Sequence, residues 1–509
     1  MPAIITDQFR ILNAETFAKS VTGIGTTSNF YYTFLAHPNP TNVSIEEYGA
    51  ANWASVTPDP RDSFEQENRY HGSMLFLNKI GINDFARIVP RVDWSSGVTY
   101  DMYRDDYDIT NAAPQTSAKT LYESRFYVLN SEFKVYICIN NGTSPDFPNG
   151  RPSQNEPNFV STTPQKAGSG SDGYLWKYLY TITPANIVKF TTEKFMPLPN
   201  NWGDSNTAEI KNAAVRGRIE TVVIKNRGES YLAGTYVVDI KGDGSGGQVS
   251  IVVTDNQVSS VEVSNSGKDY TRGVINFTDG GGSGASFDVI IPPKGGHGAD
   301  IYRELGSYRV MVYSKYDASS DFISQNNFSR IGIVRNPTEY GSSTAILNTN
   351  TATSLGALKL KPGGTGFSTS GTTYPVNAEI RQEVGTGTSV AVGYVASWDR
   401  DTGVLRYYQP VGLSTISNNN FKNFDFESNT KAVTCVSIGG TVLFPDSEFN
   451  NVSSITVNGK VTDLGQTFIG GKANPEVEKY SGDIIYIDNR APISRSESQK
   501  EEVKIVVEF

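Results

Sequence analysis

Side chains that commonly bind soft metals or act as nucleophiles are scarce here: 509 residues hold two cysteines, three histidines and five methionines. Cys138 and Cys435 lie far apart and no C-x-x-C pair exists, so a zinc site is not expected. Each lies in an apolar run, VYICI at 135–139 and AVTCVSI at 432–438, and reads as a small buried hydrophobe in a strand. No apolar stretch reaches the roughly 18 residues a membrane-spanning helix needs. The opening MPAIITDQFR lacks the charged-then-apolar pattern of a secretory leader. Long blocks of like charge are absent and the net charge is −9, so a clustered phosphate-binding surface is not expected either. These absences predict a chain folded in a reducing cytoplasm, with neither nucleic-acid binding nor membrane insertion.

Catalytic patterns are equally thin. His37 precedes a proline, His71 follows Tyr70, His297 sits in KGGHGAD, and no G-x-S-x-G elbow accompanies them. Loop or helix-edge positions are the expectation for all three. KGDGSGG (241–247) is glycine-rich but lacks the Gly-Lys-Ser/Thr ending of a phosphate loop. Asp399-x-Asp401-x-Gly403 has no further ligand at calcium-loop spacing and reads as a hairpin turn. Asp105-Asp106 and Glu501-Glu502 are adjacent pairs, and neighbours in a strand face opposite sides, so neither pair can flank one glycosidic bond. No catalytic, cofactor-binding or metal-binding residue is assigned, and the chain is read as not an enzyme.

What is abundant describes short strands joined by turns: 48 glycines, 27 tyrosines and 25 phenylalanines, with much Ser, Thr, Asn and Val. The expected class is mainly β, with an α+β core, an N-terminal helix and a multi-domain, β-sandwich-like architecture; the length suits roughly two to four domains. Residues 8–20 (QFRILNAETFAKS) carry apolar positions at helical spacing. Phe30 to Leu35 is an aromatic strand; Ser73 to Leu77 (SMLFL) and Phe85 to Val89 return to core sequence, the former with a helical alternative. Arg125–Leu129 and Lys134–Ile139 form a predicted hairpin about Asn130-Ser131-Glu132, and Gly393–Tyr408 another about Asp399–Gly403. In DGYLWKYLYTITP, Tyr174, Trp176, Tyr178 and Tyr180 are expected on one strand face, as a core wall or a partner anchor.

Residues 221–292 repeat themselves. Asn226-Arg227-Gly228-Glu229-Ser230-Tyr231 returns as Asn265-Ser266-Gly267-Lys268-Asp269-Tyr270, and Gly244-Ser245-Gly246-Gly247 returns as Gly282-Ser283-Gly284-Ala285. Two copies are too few for a solenoid, so a compact β-module is expected. Residues 341–475 have a different texture, rich in Ser, Thr, Gly and Asn, and read as a second β-module.

Five segments, in order, resemble the gene-eight-type baseplate wedge protein family of T-even-type contractile-tailed bacteriophages. They are AIITDQFR with its helix, VPRVDW (89–94), DGYLWKYLYTITP, RIGIVRNP (330–337), and the closing SGDIIYIDNRAPI with EEVKIVVEF. In VPRVDW, Val92 stands where the family has a second arginine. The resemblance implies a discontinuous core of residues 1–202, 300–339 and 478–509, interrupted by a Gly/Tyr-repeat module at 203–299 and a Ser/Thr/Gly-rich module at 340–477. The closing strands would then return to the core after both modules have looped out.

The same resemblance implies a structural role: a homodimer that binds other baseplate wedge proteins, in a virion tail assembled in the bacterial host cytoplasm, with no cofactor. Candidate interface residues are Tyr174, Trp176, Tyr178 and Tyr180, together with Arg91, Asp93 and Trp94, where an Arg91–Asp93 arrangement is expected. The alternative is a tail-associated glycan-binding or glycan-degrading protein.

Overall fold

Strands make up 43% of the computed structural model and helix 11%, which places the chain in the mainly β class. The structure describes residues 5–22, 29–37, 57, 59–317, 322–324, 326–362, 373–385, 389–409, 424–428, 430–436, 443–496 and 498–509. The chain forms two compact units: Met1–Ala18, Phe85–Val312 and Ile505–Phe509 make the first, Lys19–Asp84 and Tyr313–Lys504 the second. This division cuts across the core implied by the resemblance, because residues 19–84 join the second unit. The two expected insertions fall one in each unit.

In the first unit, Tyr127–Leu129 and Lys134–Asn141 pair as the expected hairpin, and Tyr174–Thr181 extends it to three antiparallel strands. Asn130 closes the turn: its Oδ1 accepts the N–H groups of Glu132 (3.0 Å) and Lys134 (2.8 Å). A second sheet places Phe85–Pro90 between Phe195–Pro197 and residues 309–312. Phe126, Tyr136, Trp176, Tyr180, Leu198 and Ile301 belong to the shared core, each essentially excluded from water. Burial of such a side chain contributes roughly 1.5–3 kcal/mol, which offsets the cost of ordering the long loops around it.

Those loops are held by buried polar side chains in place of ladders. Asp101 is fully buried and accepts from Gln115 N–H (2.8 Å), the Thr116 hydroxyl (2.8 Å) and Arg125 N–H (3.3 Å). Asp172 accepts from Gln154 N–H at 2.9 Å and Tyr174 N–H at 3.2 Å. Each buried carboxylate thus supplies acceptors to backbone donors that would otherwise be stranded.

The repeat module has its own core, which includes Tyr231, Val249, Ile251, Tyr270 and Phe277. Its two copies exchange partners. Val222–Glu229, ending in the first Asn-x-Gly motif, pairs with Ser283–Val289, which carries the second glycine loop. Gln257–Lys268, ending in the second motif, pairs with Ser245–Thr254, which carries the first glycine loop. Both motif glycines are left-handed, Gly228 at φ 62° and Gly267 at φ 61°, and each has its N–H bound by the asparagine two residues before it. The exchange closes the pair on itself, which is why two copies suffice.

In the second unit, five antiparallel strands run in the order Thr351–Thr353, Met74–Lys79, Tyr31–Ala36, Asn327–Arg335, Asp483–Ser494. A further sheet is built on Glu379–Val384, Ser389–Asp399, Val404–Tyr408 and Gly356–Pro362. The predicted Gly393–Tyr408 hairpin is present. Its turn uses Asp399, whose Oδ1 accepts Asp401 N–H at 2.9 Å while its carbonyl accepts Gly403 N–H at 2.8 Å.

Two local expectations change. Ser73–Leu77 is not helical: the helix is Phe64–Gly72, and the strand begins at Met74. Ser63 caps that helix, its Oγ accepting Gln66 N–H at 3.4 Å, so Ser63-x-x-Gln66 is a helix start signal within polar sequence. The Pro184–Phe190 helix was likewise announced by Thr183-Pro184, a capping threonine followed by proline at the first helical position.

Candidate functional site

Three of the four aromatic candidates line the inside of the first unit. Tyr174 and Trp176 are fully buried and stacked, ring centroids 5.1 Å apart, with Tyr100 edge-on to Trp176 at 5.9 Å. The Tyr174 hydroxyl donates to the Arg151 carbonyl at 2.7 Å, and the Tyr180 hydroxyl to that of Pro197 at 3.1 Å. Burial pushes the Tyr174 hydroxyl pKa well above its ordinary value of 10.0. Tyr178 alone is half-buried, packed on Tyr136 with centroids 5.7 Å apart.

Of the two expectations for these aromatics, a core wall or a partner anchor, the structure shows the core wall for Tyr174, Trp176 and Tyr180. Pairing with Lys134–Asn141 skips Leu179, a bulge that breaks the two-residue period, and Leu179 and Tyr180 are buried one after the other. Tyr174, Trp176 and Tyr180 are core residues, with no surface left for another protein.

The second candidate set reaches the surface. Arg91 Nε donates to Asp93 Oδ1 at 2.8 Å, and Arg91 Nη1 to the Thr192 carbonyl at 3.1 Å. Trp94 is half-buried against the core, its indole N–H donating to Ser153 Oγ at 3.0 Å. Backbone bonds from Trp94 to Leu129 and from Leu129 to Val92 stitch this segment to the hairpin. Arg91, Asp93 and Trp94 are thus brought together, with Asp93 exposed.

The histidines are built into the structure. His37 is buried, stacked on Tyr408 with its Nδ1 3.0 Å from the Tyr408 hydroxyl. His71 ends the Phe64–Gly72 helix, and burial lowers its pKa to about 4. His297 and Glu304 are both buried, Nδ1 to Oε1 at 2.6 Å, and Glu304 Oε2 also accepts Gly298 N–H at 2.7 Å. The carboxylate is spent on fixing a glycine-rich loop, a pairing seven residues apart that no local motif signalled. Among the described residues no cluster of three His, Cys, Asp or Glu side chains is arranged to hold a metal ion. Neither Cys138, which is buried, nor Cys435, which is half-buried, forms a disulfide among the described residues.

A further apolar surface lies on the helix Asp7–Thr22, and it is made by Phe9 and Leu12, two of the apolar positions whose spacing predicts the helix. Ile11 and Ala14 face inward and are buried, while Phe9 and Leu12 point outward, 53% and 49% exposed, with Ile5 just ahead of the helix 67% exposed. The helix is apolar on two sides, with Ile11 and Ala14 on the buried one and Phe9 and Leu12 on the exposed one. Its inner side is anchored. The Arg10 guanidinium stacks 3.7 Å over the Tyr308 ring and pairs with Glu508 at 2.5 Å, and Phe17 packs on Phe509 with centroids 5.6 Å apart. Among the described residues, no helix is long and apolar enough to cross a membrane. No protein-family model matches this chain, and no curated protein matches it.

Proposed function

We propose that this chain is a structural subunit of a contractile-tailed phage baseplate wedge, assembled in the host cytoplasm and retained in the virion tail. It would pair with a second copy of itself and with other wedge proteins, holding them together while the baseplate changes shape on host attachment. The observation that carries this reading is the outward apolar side of the Asp7–Thr22 helix. Scattered exposed hydrophobes are ordinary, but a helix whose inner side is already packed gains nothing from a second apolar side unless another surface covers it. The stripe lies in one of the five segments that resemble the wedge family, and Arg91, Asp93 and Trp94, in another, also reach the surface.

Light scattering on the purified chain, alone and mixed with the other wedge proteins, tests the reading. The expected result is a dimer that enters a larger complex. Phe9→Glu with Leu12→Glu should weaken assembly while leaving the fold intact, since burying each side chain is worth roughly 1.5–3 kcal/mol. A chain that stays monomeric and ignores the other wedge proteins overturns the proposal.

A further inference from the structure

A cavity of about 210 Å³ opens in the second unit, in and beside the Ser/Thr/Gly-rich stretch 340–477. Its charged wall residues are Asp425, Glu478, Lys472 and Lys479, two carboxylates against two ammonium groups. Some of this polarity is spent: Glu478 Oε2 accepts Gly341 N–H at 2.7 Å, and Lys479 Nζ donates to Gln409 Oε1 at 3.2 Å. Burial lowers the Lys479 pKa, which marks the inner wall as poorly hydrated.

The remainder is unspent. Among the described residues, the Tyr340 hydroxyl, the Asp425 carboxylate, the Lys472 ammonium and the Asn474 amide have no side-chain hydrogen bond or ion pair to another residue. The larger cleft of the first unit, about 400 Å³, contrasts with this. There Lys166 pairs with Glu262 at 3.0 Å and Asn140 donates to the Thr221 hydroxyl at 2.8 Å, so these wall groups are spent on one another.

From this arrangement we infer that the cavity binds a neutral saccharide. A balanced wall gives no net attraction to an anion or a cation, whereas a phosphate site needs surplus positive charge. Sugar hydroxyls both donate and accept, and the free groups here offer both: donors on Lys472 and Asn474, acceptors on Asp425 and Asn474, and either on Tyr340. The Tyr340 ring, 38% exposed, supplies the flat apolar surface that the C–H face of a pyranose lacks in water. The volume is below the roughly 300–1,000 Å³ of pockets for drug-sized ligands, a scale of one or two sugar rings. This inference goes beyond the wedge reading and stands independently of it, since the cavity lies mainly in a stretch that has no counterpart among the five resembling segments.

The test is saturation-transfer NMR on the full chain with the methyl glycosides of D-glucose, D-galactose, N-acetyl-D-glucosamine and L-rhamnose, and inorganic phosphate as a charged competitor. Transfer to at least one glycoside is expected, falling at least fivefold in Tyr340→Ala and in Asp425→Ala and unaffected by phosphate. Both side chains are exposed, so unchanged thermal melting of each variant verifies that the fold is kept. Transfer to none of the four glycosides, transfer that survives both substitutions, or transfer abolished by phosphate would overturn the inference.

Discussion

The backbone N–H of Phe509 donates to the Tyr308 carbonyl at 3.1 Å, while the ring of that same Tyr308 lies beneath the Arg10 guanidinium. Tyr308 therefore joins a main-chain hydrogen bond and a cation–π contact, to residues 201 (509 − 308) and 298 (308 − 10) positions away in sequence. Arg10→Ala should lower stability by about 1–2 kcal/mol, combining the lost stacking with the lost Glu508 pair. Thermal unfolding followed by circular dichroism measures this; an unchanged midpoint would show that the contacts contribute nothing.

In the repeat module, each motif tyrosine packs on the glycine loop of the other copy or its neighbour strand. A Cβ on Gly244 would sit 2.4 Å from the Tyr270 ring, and one on Gly282 would sit 2.4 Å from that of Tyr231. Gly244→Ala and Gly282→Ala should each cost about 1–3 kcal/mol through overpacking. Gly246→Ala is the comparison. Its nearest neighbour would be 4.0 Å away, so it should cost about 1 kcal/mol, from the left-handed φ of 76° alone. Urea unfolding of the three variants distinguishes steric from backbone effects, and equal losses would refute the packing argument.

The two tyrosines should not respond alike to loss of the hydroxyl. Tyr270 accepts Gly247 N–H at 3.0 Å and donates to the Ile240 carbonyl at 2.9 Å, whereas Tyr231 accepts Ala285 N–H at 3.3 Å. With about 1 kcal/mol per hydrogen bond, Tyr270→Phe should be the more destabilising change. Chemical denaturation of both variants checks the order.

His71 should make stability depend on pH. Burial holds its folded pKa at about 4, with Asp483 partly opposing the shift, against an ordinary value of 6.5. Above pH ~6.5 the imidazole is neutral in both states and stability is whole. As pH falls from 6.5 towards 4 only the unfolded chain takes up the proton, so stability declines by about 1.4 kcal/mol per pH unit, about 3 kcal/mol in all. His71→Phe should flatten that window in denaturation curves measured at pH 7, 5.5 and 4.5. A slope identical to that of the parent would exclude His71 as its source.

The second unit contains a buried ion pair, Arg495 Nε to Glu501 Oε2 at 2.9 Å, with Arg495 fully buried and also donating to the Ile323 carbonyl. Glu501→Leu alone strands the guanidinium and should cost about 3–5 kcal/mol. Arg495→Met with Glu501→Leu should recover most of that loss, because no desolvated charge remains. A double-mutant cycle by calorimetry decides between this and simple additivity.

Local sequence determined what depends on neighbours a few residues away. Asn130 turns the 127–141 hairpin, Asp399 and Gly403 turn the one at 389–408, and the apolar spacing of residues 8–20 makes a helix. Ser63-x-x-Gln66 is equally local, a cap satisfied within three residues. Tertiary structure alone decided which copy's glycine loop receives each motif strand, that Leu179 bulges and sends Tyr180 inward, and that Glu304 is spent on His297 and Gly298. It also decided that residues 19–84 join 313–504 in one unit. The physical reason is range. Turns and caps are satisfied by hydrogen bonds within a few residues, while burial and strand partnership depend on which apolar surfaces meet after the chain has closed loops of hundreds of residues, at a cost that rises only slowly with their length.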